Sequence, residues 1–259
     1  VDKSFEQIAD KFAKNIYQTS KGQLRLAIVK KDLQDFALTD SGKPMKILDA
    51  GCGLGEIAVW LAQQGHEVTG VELAESMLVQ AQQHAAQNAV EVNFICQSIQ
   101  DYIAEHTNTA YDWIVCHAVV EWLADPEAVI AHLNTLLKPG GKLSLMFFNK
   151  TAKLFGNLLY GNFDYIDAGM QVKNQVRLNP GNPQLPEDVY AWVEKFAEIR
   201  RKRGVRCFHD YMIDRRMWLE QFDVILEKEL LYSLQEPFIS LGKYIHVVAE
   251  KKQSTGKVR

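Results

Sequence analysis

The sequence predicts an α/β protein built as a doubly wound, mostly parallel sheet, and three observations carry that expectation. The first is a short apolar run, Ile47-Leu48-Asp49-Ala50, that enters the glycine turn Gly51-Cys52-Gly53-Leu54-Gly55 and then a helix-like segment from Glu56 to Ala62. The second is the alternation that follows. Strand-like runs at 67–73, 91–96, 112–117 and 142–149 are interleaved with helix-like stretches at 74–87 and 126–137, the pattern of parallel strands joined by crossover helices. The third is Glu72, which closes the second run about twenty residues beyond Gly51, where a nucleotide-binding unit of this kind places its ribose-binding acid. Glycine lets a backbone approach a ligand closely, and the helix that follows exposes its first N–H groups to that ligand. The stretch therefore reads as a cofactor site.

Composition sets the outer bounds. With 259 residues, 47% of them apolar and 24% charged, the chain has the make-up of an ordinary globular protein with a well-buried core. A net charge of −3 does not advertise a nucleic-acid binder, although the distribution of charge matters more than its sum. Cys52, Cys96, Cys116 and Cys207 are scattered without a Cys-x-x-Cys spacing. They fit reduced thiols better than a disulfide framework or a zinc site. The sequence shows neither a signal pattern nor an apolar run of about 18 residues. The expectation is a cytoplasmic protein with no membrane association, no metal and no obligate protein partner.

The glycine spacing separates two cofactor classes. A dinucleotide fingerprint is Gly-x-Gly-x-x-Gly, whereas here the pattern is Asp-x-Gly-x-Gly-x-Gly. That pattern resembles motif I of the class I S-adenosylmethionine (SAM)-dependent methyltransferases. The turn Lys138-Pro139-Gly140-Gly141 and the strand after it, Lys142 to Asn149, resemble the same superfamily. The resemblance implies a Rossmann-like, seven-stranded, mostly parallel sheet, with helices preceding it and an insertion after strand five. It also implies SAM as cofactor and S-adenosylhomocysteine as product, with Asp49, Gly51, Cys52, Gly53 and Glu72 in the cofactor site. Cys52 stands where glycine is common and Glu72 where aspartate is common; the backbone and the carboxylate function remain. On this basis residues 1–259 form a single methyltransferase domain. Its expected parts are a helical cover over 1–40, a cofactor-binding core over 41–149, a lid or substrate-recognition insertion over 150–185, and the remainder of the sheet with a basic face over 186–251.

In chain order, Ser4 to Tyr17 is helical by the spacing of Phe5, Ile8, Phe12 and Ile16. A second helix starts near Thr19 or Ser20, plausible caps, and carries Leu24, Ala27, Ile28 and Leu33 on one side. Arg25 lies among those apolar positions. It is either a surface arginine beside the stripe or a guanidinium that reaches the methionine carboxylate of the cofactor. Beyond the third strand, Ser98 occupies the place where related methyltransferases carry an acid near adenine. The backbone of Ile99 and its neighbours then hold the base, and Asp101 starts a helix. His117 closes the fourth strand, and ligands of open α/β sheets bind beyond the carboxyl ends of strands, so it faces cofactor or substrate. Glu121 and Trp122 follow it closely and would border the same pocket, although an anchor for the next helix is the safer reading of Trp122.

The remaining chain is less regular. Residues 150–185 hold Phe155, Tyr160, Phe163 and Tyr165 without a clear period, as a lid would. Pro186 to Phe196 is an amphipathic helix opened by proline. Next comes the basic run Arg200-Arg201-Lys202-Arg203-Gly204-Val205-Arg206; residues 171–216 hold ten Lys/Arg against six Asp/Glu, a local charge of +4. Lys251, Lys252, Lys257 and Arg259 extend it. Such a run is either a solvated face or a contact for an anionic partner such as RNA, and the adjoining aromatics could stack splayed bases. A last helix is expected at about 215–226, and a closing strand over 243–249.

A closer resemblance rests on several segments together. They are Phe12 to Arg25, His117 to Trp122, Gly161-Asn162-Phe163-Asp164-Tyr165, Val205-Arg206 with Phe208-His209-Asp210-Tyr211, and Tyr244-Ile245-His246-Val247. In these the chain resembles the bacterial tRNA 5-carboxymethoxyuridine methyltransferases over nearly its whole length. The resemblance implies methyl esterification of the 5-carboxymethoxyuridine carboxylate at the wobble position of a tRNA anticodon loop. A carboxylate with a reference pKa of roughly 4 is already ionised at neutral pH, so no catalytic base is required and catalysis rests on in-line positioning. Arg206, His209, Tyr211, Tyr244 and His246 are the expected positioning residues for the base or a flanking phosphate. A small-molecule O-methyltransferase, a nicotinamide-dependent oxidoreductase and a non-enzymatic SAM- or RNA-binding module remain as alternatives.

Overall fold

The structure, a computed structural model, describes residues 19–36, 42–170 and 180–253. The helix expected over Ser4–Tyr17 and the tail cations Lys257 and Arg259 lie outside those residues. Helix α1, Ser20–Asp35, is capped by Thr19, whose hydroxyl accepts the Gly22 N–H at 3.2 Å. Its inward face carries Leu24, Ile28 and Leu33, and it also buries two charged residues, Arg25 and Asp32.

The parallel half of the sheet follows. Strand β1 (Lys46–Ala50), helix α2 (Glu56–Gln63), β2 (Glu67–Glu72), α3 (Glu75–Gln87), β3 (Asn93–Cys96), α4 (Ile99–Glu105), β4 (Tyr111–His117), α5 (Pro126–Thr135) and β5 (Leu137–Phe148) succeed one another as crossover units. A single 3₁₀ turn, Val120–Trp122, interrupts the β4–α5 connection. Strand β5 starts five residues earlier than the sequence indicates and takes in the Lys138-Pro139-Gly140-Gly141 turn. Asp125 and a proline in the first turn open α5; the Asp125 carboxylate accepts the Ala128 N–H at 3.0 Å.

Beyond β5 the stretch without a legible period is helical in part, as α6 (Lys150–Leu159) and α7 (Phe163–Asp167). Asn149 sets the start of α6. Its side-chain oxygen accepts the Thr151 N–H, while its amide donates to Ser240 O and Gly242 O, each at 2.9 Å. Helix α8 (Pro186–Glu194) leads to β6 (Ala197–Val205). The single late helix expected from sequence is two, α9 (Met217–Glu220) and α10 (Phe222–Tyr232), separated at Gln221. Helix α11 (Phe238–Leu241) and strand β7 (Tyr244–Lys251) close the described chain.

The sheet has seven strands in the order β3-β2-β1-β4-β5-β7-β6, parallel through β5 and antiparallel where β7 joins β5 and β6. Period-2 alternation assigns its two faces. Leu48, Ile114 and Leu145 pack toward α4, α5 and α8, whereas Ile47, Val115 and Val248 pack toward α1, α2 and α10. The strand order reverses between β1 and β4, so their carboxyl ends, Ala50 and His117, open a crevice together.

The basic run is only partly a solvated face. Residues 200–205 belong to edge strand β6, and a bulge between Ile199 and Arg201 sets their alternation. Arg203 turns inward, 2% exposed, to meet Asp32 of α1 at 2.8 Å. Arg201 bridges Asp32 and Asp35, Arg200 meets Glu198 and Glu250, and the Lys202 ammonium lies over the Tyr190 ring. These cations already have partners within the protein.

Candidate active site

The crevice between β1 and β4 holds a cavity of about 110 Å³. Gly51, Gly53 and Gly55 have φ of +81°, +57° and +76°, a conformation that fits glycine and turns the chain sharply into α2. The Gly51 and Cys52 N–H groups donate to Val71 O, which ties the turn to β2. Glu72 is pinned at the wall, because its carboxylate accepts the Gly53 N–H at 3.1 Å and the Ala74 N–H at 3.0 Å. Opposite it, Leu73, Met77, Ile99 and Leu123 form an apolar slot, with Ser98 at its rim. The Ser98 hydroxyl accepts the Asp101 N–H at 3.0 Å and donates to its carboxylate at 2.6 Å, so it also starts α4. His117 and Arg25 complete the wall.

A second, wider basin of about 380 Å³ opens on the far side of Arg25, which lines both spaces. The N-terminus of α1 contributes Thr19, Lys21 and Gly22; α6 contributes Lys153, Gly156 and Asn157; Arg206, Lys243 and Tyr244 come from the late strands and their loops. Two guanidinium groups approach the Tyr244 ring, Arg25 at 5.7 Å and Arg206 at 5.6 Å. Arg206 donates twice to Asp210, at 2.7 and 3.0 Å, and Lys21 approaches the same carboxylate at 3.1 Å. Burial opposes the charge on Asp210, yet Arg206, His209 and Lys21 hold its carboxyl well below the usual range. Burial, and then Arg206 and Lys21, push the Lys243 ammonium down despite Asp210. Five cations thus face a basin whose adjoining carboxylate is already shared by two of them.

A family described as Methyltransferase domain matches residues 48–145, the span from β1 to β5. Over 261 aligned positions the chain is 45% identical to the tRNA 5-carboxymethoxyuridine methyltransferase of Escherichia coli (strain K12), and the match covers 99% of each protein. The chain belongs to the tRNA 5-carboxymethoxyuridine methyltransferase family. It is a methyltransferase. The ubiquinone biosynthesis O-methyltransferase of Chromobacterium violaceum is 37% identical over 110 residues, 42% of this chain and 47% of that protein. The solved structure of magnesium protoporphyrin IX methyltransferase from Synechocystis PCC 6803 with bound SAH shares the fold, with a TM-score of 0.64 at 18% identity and 96% of both chains covered. Likeness to the tRNA methyltransferase thus runs through the basin-forming segments, which the shorter matches do not span.

Within this family member, the cofactor residues expected from sequence mostly converge. Arg25, Gly51, Gly53, Glu72, Ser98, Ile99 and His117 line the inner cavity. Asp49 and Cys52 are buried but are not among the lining residues. Burial, reinforced by the charge of Glu72, pushes the Asp49 carboxyl up to about 7 although the Ala58 amide faces it. Burial also pushes the Cys52 thiol up, followed by Asp49 and Glu72. Met77 also lines the cavity, because α3 starts directly beyond the end of β2.

The expected substrate residues divide. Arg206 and Tyr244 line the basin. His209, Tyr211 and His246 are not among its lining residues and are held by partners within the protein. His209 is 0% exposed, stacked on Trp218 at 4.5 Å with its Nε2 3.2 Å from Ser20 Oγ. The Tyr211 hydroxyl donates to Leu241 O at 2.9 Å and its ring packs on Phe155. His246 is 0% exposed and bonded on both ring nitrogens. Lys153 and Lys243 escaped the sequence reading, since single lysines at a helix start and a strand entrance carry no periodic signal.

Arg206 itself has a left-handed backbone, φ +61°, and a buried carboxylate maintains it. Glu229 of α10, 0% exposed, accepts the N–H groups of Cys207, Phe208 and His209 at 2.8, 3.1 and 3.1 Å. Glu229→Gln replaces one acceptor oxygen with a donor facing those donors. It is expected to cost about 2–3 kcal/mol, the scale of a charged hydrogen bond lost inside a protein, read as a lowered urea midpoint.

Proposed function

We propose that this protein uses SAM to esterify the carboxylate of 5-carboxymethoxyuridine at the wobble position of tRNA, in the cytoplasm, leaving the methyl ester and S-adenosylhomocysteine. The observation that carries this reading is the cationic basin, joined to the cofactor cavity at Arg25. An anionic nucleotide seated there would present its carboxylate beside the cofactor. Among the described residues no helix is long and apolar enough to cross a membrane.

The inner cavity fits SAM. Glu72, held by two backbone donors, has the placement for ribose hydroxyls. Leu73, Ile99 and Leu123 offer an apolar slot for adenine, and Arg25 a planar donor for the methionine carboxylate. When bound, the cofactor supplies an electrophilic methyl group. Because the substrate carboxylate is already ionised at neutral pH, the protein's residues need only hold it. Lys21, Lys153, Arg206 and Lys243 gather charge around the basin, and Tyr244, with two guanidinium groups near its ring, offers an aromatic surface to the base. Helices α6 and α7 serve as a lid over this side, and residues 1–259 act as one methyltransferase domain.

Gly156 has a specific part in this reading. Glycine inside a helix costs about 1 kcal/mol relative to alanine, yet it stands in the middle of α6. A Cβ there would lie 2.7 Å from the Lys243 ammonium nitrogen. Gly156→Ala therefore moves the flexible end of Lys243 out of the basin while leaving stability unchanged or improved. The KM for tRNA is expected to rise roughly tenfold with kcat nearly constant, the pattern of lost uniform binding.

The reading is tested by offering labelled SAM with tRNA carrying the free carboxymethoxy group, with an unmodified transcript, and with small carboxylic acids. Label on the acid-bearing tRNA alone is the expected result. Label on small acids, with none on tRNA, would replace this reading with a small-molecule methyltransferase.

A further inference from the structure

A chain of buried side chains crosses the sheet beneath the cofactor cavity. The strand register puts His117, Met146, His246 and Arg203 in one row across β4, β5, β7 and β6. Ser144, two residues before Met146, shares that face. The Arg203 Nε donates to Asp32 Oδ1 at 2.8 Å, and Asp32 Oδ2 meets His246 Nδ1 at 2.8 Å. His246 Nε2 lies 2.7 Å from Ser144 Oγ, which lies 2.7 Å from His117 Nε2. Asp32, Ser144 and His246 are 0% exposed, while His117 reaches the cavity wall.

With the His246 ring neutral, each bond in the chain has one direction. Arg203 gives Asp32 a permanent counter-charge, so the carboxylate stays an acceptor and His246 carries its proton on Nδ1. His246 Nε2 then presents a lone pair, which the Ser144 O–H fills. The serine oxygen in turn accepts, so His117 carries its proton on Nε2. Burial holds the His117 pKa well below its ordinary value, so the ring is neutral. Nδ1 is left with a lone pair and is the nitrogen available to a ligand.

We infer that Asp32, His246 and Ser144 are positioning residues that fix His117 as a hydrogen-bond acceptor for the ammonium of the cofactor's amino-acid portion. The inference rests on the reading of the inner cavity as a SAM site. It divides recognition of the methionine end between two side chains of opposite character, Arg25 for its carboxylate and His117 for its ammonium. A histidine locked in the other tautomer would set N–H against N–H.

Calorimetric titration with S-adenosylhomocysteine and with 5′-methylthioadenosine, which keeps the nucleoside and sulfur but lacks the amino-acid portion, tests this. Ser144→Ala breaks the chain at its centre; His246→Asn keeps a donor to Asp32 but removes the Nε2 link. Both variants are expected to bind S-adenosylhomocysteine roughly tenfold more weakly and methylthioadenosine within about twofold of the parent protein. In the parent, ¹⁵N-histidine NMR is expected to show His117 as the Nε2–H tautomer. Equal losses for both ligands, no loss for either, or an Nδ1–H tautomer would overturn the inference. A parent protein that binds neither ligand would overturn the cofactor reading, and the inference with it.

Discussion

Replacing Asp32 with alanine lowers stability by about 3–5 kcal/mol, the usual cost of stranding a buried charge by removing its partner. Arg203, with 3% of its side chain exposed, would keep only Ser233 Oγ and Leu230 O as acceptors. His246 and Arg201 lose a partner in the same step. For a chain of this size the melting temperature falls on the order of 10 °C. Part of the loss returns in the double variant Asp32→Ala/Arg203→Met, where no charge remains to be stranded. The effect depends on pH with a definite sign. Burial raises the Asp32 pKa, but His246 and the two arginines outweigh it and hold it well below 3.8. A depressed folded-state pKa stabilises fully above the unfolded value and is lost as pH falls below it. Urea unfolding is therefore expected to separate parent and variant widely at pH 7, and by a shrinking margin below about pH 4. A constant gap down to pH 2 would contradict the assignment.

Gly51→Ala is expected to lower affinity for S-adenosylhomocysteine by roughly 100-fold, about 2.7 kcal/mol. Two costs combine there. An L-residue in the left-handed region loses about 1–2 kcal/mol, and the new Cβ would lie 2.4 Å from Val119 Cγ2, itself part of the cavity wall. Gly65→Ala separates the two. Gly65 has nearly the same φ, +86°, but nothing within 4 Å of a Cβ, and it lies after α2, away from the cavity. Gly51→Ala should lose more stability than Gly65→Ala, because it carries the clash as well as the strain, and only Gly51→Ala should lose cofactor affinity. Equal affinities in calorimetric titration would show that the turn does not shape the cavity.

Local signals account for what the sequence made legible. The glycine turn, Glu72, the Pro126 helix start and the strand end at 117 each announce themselves within a few residues. They bring Glu72, Ser98 and His117 to one crevice by topology alone, whereas Arg25 reads from sequence either as a surface residue or as a cofactor contact. The antiparallel edge was harder, because β6 reads Ala-Glu-Ile-Arg-Arg-Lys-Arg-Gly-Val and lacks apolar alternation. Its inward position is filled by an arginine that α1 neutralises with Asp32, a contact 171 residues apart. Long-range pairing of this kind leaves no local trace. It also explains why His246 and His209 read as site residues: a buried histidine bonded to a serine or an aspartate looks, in sequence, like one facing a substrate. Conversely Lys153 and Lys243 lie far apart in the chain, and only the docking of α6 against the entrance of β7 brings them together.

The most direct measurement is nucleoside mass spectrometry of tRNA incubated with the purified protein and SAM. The tRNA should carry 5-carboxymethoxyuridine, with an unmodified transcript alongside. The account predicts the gain of one methyl on that nucleoside, removed by mild alkali as an ester is, and no change in the transcript. Methyl on another nucleoside, methyl that resists alkali, or an unchanged tRNA in the presence of measurable cofactor binding would contradict it.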